Sequence, residues 1–322
     1  MDIPLIHIGK FENESSKAYL AKQIAQACRE NGFFYIKEHG ISLELQNELE
    51  TLSKVFFELP MDEKMKISMQ KGGKAWRGYF PLGDELTSGK PDQKEGLYFG
   101  SDLDKKHPKV IDGNYLHGAN LYPAYPSGFK KVIETYISEM EKLGQVIMSG
   151  IALSLGLPEN YFKANYTQDP FLLFRIFHYP PDNSESWGVG EHSDYGLLTI
   201  LKQDENGGLQ IKSKGEWVDA PPIENTFICN IGDMLDKMTG GLYKSTPHRV
   251  KNTSGKSRFS FPFFFDPSFD AKIKKIVSHN PAQDDYHQRW DKEDVHAFGG
   301  TYGEYLLEKV SKVFPELKNR LD

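Results

Sequence analysis

The chain has 322 residues, 39% of them hydrophobic and 26% charged, with a formal net charge of -6. That is ordinary globular composition with ample length for a buried core. The mild negative charge and the lack of a Lys/Arg block argue against a nucleic-acid surface, and no stretch is long and apolar enough to span a bilayer. Lys272, Lys274 and Lys275 read as a solvated face. Met1 to Leu5 is neither basic nor followed by an apolar run, so no secretory signal is expected. Cys28 and Cys229, the only cysteines, each lie in an apolar segment and read as buried free thiols. These features lead us to expect a soluble, cytoplasmic protein without a membrane partner.

In chain order, residues 3 to 8 read as a short strand. Leu20, Ile24, Ala27 and Cys28 share one face of a helix over 15 to 31, which Gly32 stops. Phe33 to Ile36 reads as a strand, 43 to 57 as a second amphipathic helix, and Pro60 opens a short third. Residues 71 to 126 are rich in Gly, Pro, Lys and Asp without clear period, which is long for a loop and suggests function. The longest helical stripe runs over 127 to 155. From about 171 the texture changes to short strands at 171–179, 195–203, 207–212, 216–219, 226–231, 246–252 and 258–265, with Gly-containing turns between them. That pattern predicts a sandwich or jelly roll, and a helix resumes at 302 to 313.

Chemistry concentrates in the strand-rich half. His192 and Asp194 are two apart at the entrance to a predicted strand, so both can face one ion. His248 must arrive from another strand. Two imidazoles and one carboxylate suit Fe(II) with open positions, and the lack of cysteine ligands argues against structural zinc. Alone, His-x-Asp also arises by chance, and His248 after Pro247 also suits a turn or core histidine. Arg258 and Ser260 share one strand face, where a guanidinium and a hydroxyl can grip a carboxylate. The alternative for Arg258 is an internal ion pair. Phe264 shares their face and is expected to line the cavity. Arg175 alternates with Phe177 and Tyr179; it can bind an anionic substrate group or serve a salt bridge within the fold. Arg77, Tyr79, Tyr98 and Phe99, from the long irregular segment, are further candidates to close over a substrate.

Four ordered motifs carry a family resemblance: His192 to Thr199, Asn230 to Met234, Ser245 to Val250, and Arg258 to Ser260. With Ile3 to Ile6, Asn31 to Ile36 and His39 to Ile41, the chain closely resembles, over nearly its whole length, the isopenicillin N synthase-like family of 2-oxoglutarate/Fe(II)-dependent oxygenases. The resemblance implies a mainly β fold, a double-stranded β-helix (jelly-roll) core with flanking helices. On that basis residues 1–125 form an N-terminal helical/mixed region packing on a core of residues 126–322, the two making one compact unit. His192, Asp194 and His248 would be the iron ligands; Arg258 and Ser260, joined by Tyr179, would bind the C5 carboxylate of 2-oxoglutarate. Many plant members carry Asn where this chain has Phe177. The activity implied is a dioxygenase that hydroxylates or desaturates a small organic molecule with O2, releasing succinate and CO2. Isopenicillin N synthase uses its own Arg-x-Ser pair for a substrate carboxylate, so an Fe(II) oxidase of that kind or of the aminocyclopropane-carboxylate oxidase kind, without 2-oxoglutarate, is the first rival. A protein hydroxylase and a non-catalytic jelly-roll binding protein are the others. The substrate itself is not legible in these motifs.

Overall fold

Strands whose side chains alternate between two faces organise the chain, and helices cover one side of them. A computed structural model describes residues 3–9, 14–87, 89–181, 186–277, 292–314 and 317. The N-terminal part contains β1 (Leu5–His7), α1 (Glu14–Glu30), β2 (Phe33–Lys37), α2 (Leu43–Phe57) and α3 (Met61–Lys64), then 3-10 turns at Met65–Ile67 and Met69–Ala75. β3 (Gly78–Phe80), β4 (Leu86–Thr87), β5 (Lys90–Pro91), β6 (Glu95–Gly100) and α4 (Pro108–Ile111) follow. Next come α5 (Phe129–Ser154), α6 (Tyr161–Asn165), β7 (Phe171–Tyr179), β8 (Val189–His192), β9 (Leu198–Gln203), β10 (Leu209–Ser213), β11 (Glu216–Asp219) and β12 (Phe227–Ile231). The chain continues through α7 (Asp233–Thr239), β13 (His248–Val250), β14 (Arg258–Asp266) and α8 (Tyr302–Val313).

The strands form an eight-stranded sheet, β1-β2-β12-β9-β14-β7-β6-β3, and a four-stranded sheet, β11-β10-β13-β8. Only β1 and β2 pair in parallel in these two sheets. Together with the flanking helices this is a jelly-roll core. β14 shows how one strand serves both stability and chemistry. Phe259, Phe261, Phe263 and Phe265 point to the helical side and are buried; each contributes about 1.5–3 kcal/mol of apolar burial. Arg258, Ser260, Pro262 and Phe264, in the alternate positions, line a cavity on the other side.

Local chemistry sets the element ends. Ser42 caps α2 by accepting from the Leu45 N–H at 3.2 Å, and Thr301 with Glu304 forms a capping box on α8. Gly32 leaves α1 at φ 65°, and a Cβ there would overlap the Lys244 carbonyl. Cys28 and Cys229 are buried free thiols.

Three features differ from the sequence expectation. The segment 71 to 126 is not a loop: β3 and β6 extend the large sheet beyond β7, and β4 and β5 form a small hairpin. These strands are only two to six residues long, and β3 and β6 contain glycines, so no period shows. β8 was not expected either, because Gly188 and Gly190 break its apolar alternation. α7 is wholly buried over its seven residues, too short and too uniformly packed to show an amphipathic stripe.

Candidate metal centre and adjoining cavity

The first member of the metal triad ends a strand and the second lies beyond it. His192 closes β8, Asp194 lies in the turn before β9, and His248 opens β13 directly opposite His192. The expected strand over 195–203 starts only at Leu198, so the turn and the β8–β13 pairing, not alternation within one strand, bring the groups together. One donor atom from each residue lies within 4.8 Å of the others. His192 Nε2 and His248 Nε2 are 3.9 and 3.8 Å from Asp194 Oδ1.

The surrounding hydrogen bonds leave these three atoms available. His192 Nδ1 lies 2.8 Å from the Gly190 carbonyl and His248 Nδ1 3.3 Å from that of Thr246, contacts that fix the Nδ1–H tautomer and free each Nε2. Asp194 Oδ2 accepts from Thr199 Oγ1 at 2.5 Å and Asn230 Nδ2 at 2.7 Å, leaving Oδ1 facing the imidazoles. Burial, reinforced by the neighbouring His248, pushes His192 down to about 3. Burial opposes ionisation of Asp194, but His248, His192 and the two hydrogen bonds outweigh it and hold the carboxyl below its usual range. A neutral imidazole and an ionised carboxylate are the forms that bind a divalent cation. The donor set therefore fits a metal of the Fe(II) type.

Beside the triad lies Arg258, fully buried, opposite Tyr179 across β14 and β7. Its Nε donates to the Gly207 carbonyl, and Nη2 reaches Gln203 Oε1 at 3.5 Å. Nη1 has no hydrogen-bond partner, and no carboxylate among the described residues pairs with this guanidinium. The internal ion pair considered from the sequence is not formed. Ser260 Oγ and Tyr179 OH lie 3.3 Å apart, and the guanidinium sits 4.7 Å from the Tyr179 ring. An orphaned, buried cation next to two hydroxyls is a seat for a carboxylate.

Farther along the same face of the large sheet, Arg175 on β7 also lines the cavity. Its Nη1 is 3.3 Å from Glu85 Oε1, its Nε has no partner, and the Tyr98 and Phe264 rings lie 4.2 and 4.9 Å from it. The salt bridge within the fold is thus formed, and Arg175 also faces the cavity. Phe264 lines the cavity as expected from alternation. Tyr98 stands behind Arg175 and donates to Glu85 Oε1 at 2.5 Å, a positioning contact.

Arg77, Tyr79 and Phe99 do not reach the cavity. Arg77 is buried and donates to the carbonyls of Ser101, Gly118 and Leu116 at 2.6, 2.8 and 3.1 Å, holding the connection after β6 in place. Tyr79 donates to Glu95 and packs on Phe56 and Phe57, on the helical side of the sheet. Phe99 pairs with Phe174 and stacks on Tyr122, also on that side. Alternation along β6 explains the split: Tyr98 pairs with inward-facing Arg175, and its neighbour Phe99 must face out. Glu85, Lys94, Thr199 and Asn230 are site residues that the sequence reading did not assign. Thr199 and Asn230 stand inside the quoted motifs; Glu85 and Lys94 carried no signal in the irregular segment.

Comparison with known proteins agrees with this geometry. Residues 3–125 match the family described as the non-haem dioxygenase in morphine synthesis N-terminal region, and residues 162–267 match the 2OG-Fe(II) oxygenase superfamily. A probable iron/ascorbate oxidoreductase of Dictyostelium discoideum is 50% identical over 99% of this chain and 96% of its own length. The 1-aminocyclopropane-1-carboxylate oxidase of the same organism is 45% identical over 98% of this chain and 95% of its own. A homoarginine-6-hydroxylase of Oryza sativa subsp. japonica is 37% identical over 96% of both chains. The structure of Neurospora crassa T7H in complex with alpha-KG and 5-formyluracil superimposes with a TM-score of 0.78 at 29% identity, covering 96% of both chains. The chain belongs to the isopenicillin N synthase-like family of 2-oxoglutarate/Fe(II) oxygenases.

Proposed function

We propose that the protein is a 2-oxoglutarate-dependent Fe(II) dioxygenase acting on a small organic substrate. His192, Asp194 and His248 hold the iron, and Arg258, Ser260 and Tyr179 receive the C5 carboxylate of 2-oxoglutarate. The observation that carries this reading is the buried Arg258 Nη1 without a partner, beside two hydroxyls and the triad in one cavity. The relative seen with alpha-KG supports it. Iron bound there supplies O2 activation, coupled to oxidative decarboxylation of 2-oxoglutarate to succinate and CO2 and to hydroxylation or desaturation of the substrate. The chain's own residues hold the co-substrate, aim the substrate and exclude water. Arg258 fixes one end of the co-substrate, and Asn230 and Thr199 keep Asp194 turned toward the imidazoles.

A second reading is an Fe(II) oxidase that does without 2-oxoglutarate, favoured by the similarity to the 1-aminocyclopropane-1-carboxylate oxidase. Succinate release decides between them. Incubation with Fe(II), 2-oxoglutarate and a screened substrate should give one succinate per product. Product formed without succinate would establish the oxidase. Arg258→Met removes the guanidinium but keeps much of its volume. It should weaken 2-oxoglutarate binding about 10- to 100-fold, as expected for loss of hydrogen bonds to a charged group. Calorimetric titration of the Mn(II)-loaded protein reads this directly.

A further inference from the structure

We infer that the substrate is a small net-neutral zwitterion, its carboxylate held by Arg175 and its ammonium group by Glu85. This rests on the iron and co-substrate reading above, because it takes the stretch of the same sheet face beyond Arg258, around Arg175, as the substrate side of the cavity.

The first argument is the unfinished coordination of Arg175. Its side chain is mostly covered, with a single long contact to Glu85 at 3.3 Å, and its buried Nε has no partner. Aromatic rings of Tyr98 and Phe264 hold the plane of the side chain, so the free edge is pre-positioned. A carboxylate is the acceptor that a rigid guanidinium edge recognises best.

The second argument is charge. Lys94, Glu85 and Asp92 are buried, and Arg175, its side chain 13% exposed, lies against them: Lys94 Nζ lies 2.8 Å from Glu85 Oε2 and also pairs with Asp92. Two cations and two anions cancel; Asp266, a further acid lining the cavity, accepts from Tyr302 OH and the Leu197 N–H and is pushed up by burial to about 7, so below that pH it keeps its proton and adds no charge. Elsewhere in the cavity, Arg258 is matched by the C5 carboxylate, and a divalent metal by Asp194 and the co-substrate's other carboxylate. An anionic substrate without a cationic group would bring an uncompensated charge into this buried space. A zwitterion does not.

The third argument is acceptor capacity. Glu85 takes Tyr98 OH and Arg175 on Oε1 and Lys94 beside Oε2. An ionised carboxylate offers about four lone-pair sites, so one remains for an ammonium proton. Burial opposes ionisation of Glu85, and Lys94 and Arg175 overcome it to keep the carboxyl below its usual range. Leu86, Thr87, Leu306 and Val313 add small or apolar groups to the boundary, beside the polar Tyr195, Asp266 and Tyr302.

The test is binding, not turnover. The full chain is loaded with Mn(II) and 2-oxoglutarate without O2, and its melting temperature is followed as ligand is added. The probes are the twenty protein L-amino acids, each beside its amine lacking the carboxylate and its acid lacking the ammonium group. At least one amino acid should stabilise the protein with a Kd ten or more times tighter than both truncated partners. Arg175→Gln and Glu85→Gln should each weaken that ligand at least tenfold and leave the 2-oxoglutarate Kd within about twofold of wild type. Because the comparison of intact and truncated ligands uses the wild-type protein, it stands even if a variant fails to fold. Equal binding of the acid lacking the ammonium group, or no response to any amino acid, overturns the zwitterion. Failure of 2-oxoglutarate itself to stabilise the Mn(II) protein speaks instead against the co-substrate reading; the same panel on Mn(II) alone then decides the substrate class.

Discussion

Asp194 has two oxygens with different tasks, and the division depends on two neutral side chains. Thr199 and Asn230 both donate to Oδ2, so Oδ1 is the atom left for a metal. Thr199 and Asn230 are direct partners across β9 and β12. Their joint role is therefore invisible until the strand pairing is known, even though both residues lie in recognisable motifs. The ligands themselves were legible earlier, because two imidazoles and a carboxylate carry their chemistry in their residue types. Loss of an outer hydrogen bond to a metal ligand typically costs 10- to 100-fold in affinity. Asn230→Leu should accordingly raise the Mn(II) Kd of the protein by about that factor, with little change in overall fold. Titration followed by electron paramagnetic resonance measures free Mn(II) directly. An unchanged Kd would mean that Thr199 alone orients the carboxylate.

Among the elements, α5 and β14 show how the core sets the position of the site. α5 lies against β9 and β14 on the helical side of the large sheet, and Gly144 gives the ring of Phe265 its space. Phe265 neighbours Phe264, which faces the cavity, so the depth at which α5 seats influences where the cavity wall stands. A glycine inside a helix normally costs up to about 1 kcal/mol relative to alanine, so Gly→Ala stabilises where there is room. Here a Cβ would overlap the buried Phe265 ring. Overpacking of that kind costs roughly 1–3 kcal/mol and outweighs the propensity gain. Gly144→Ala should therefore lower the melting temperature by a few degrees, the reverse of the usual effect, as read by calorimetry. A rise would show that the ring moves aside at no cost. The long stripe on α5 was plain in the sequence because a 26-residue helix repeats its period many times. β3 to β6 were not, because strands of two to six residues offer at most three repeats of a two-residue period. The same brevity misplaced Tyr79 and Phe99, whose faces are set by the β3–β6 and β6–β7 pairings, and Arg77, which lies just before β3 and turns to the carbonyls of the connection after β6.

At the scale of the whole molecule, buried ionisable groups pull stability in opposite directions as pH changes. Glu85 and Glu95 are both held below the usual carboxylate range: burial opposes their ionisation, but Lys94 and Arg175 prevail at Glu85, and His178, Lys64 and Tyr79 at Glu95. Their stabilisation is complete above the ordinary glutamate range and is lost as pH falls through their folded values. Asp266 behaves the other way. Burial pushes it up to about 7, only partly countered by hydrogen bonds from Tyr302 OH at 2.5 Å and the Leu197 N–H at 3.2 Å. Between its ordinary value of 3.8 and about 7 the folded state keeps a proton that the unfolded state has released. The folded state then binds more protons, so rising pH removes stability over that window. In the metal-free protein His192, pushed down to about 3, works against Asp266, gaining stability as pH rises toward its ordinary 6.5, so the Asp266 contribution shows as the difference between wild type and a variant that lacks it. Asp266→Asn keeps the size of the side chain and removes the titration. In melting temperatures measured from pH 4 to pH 8 in the presence of a chelator, the variant should then gain on wild type steadily as pH rises to about 7 and no further beyond it. A difference between variant and wild type that does not change with pH would show that Asp266 does not titrate in this range.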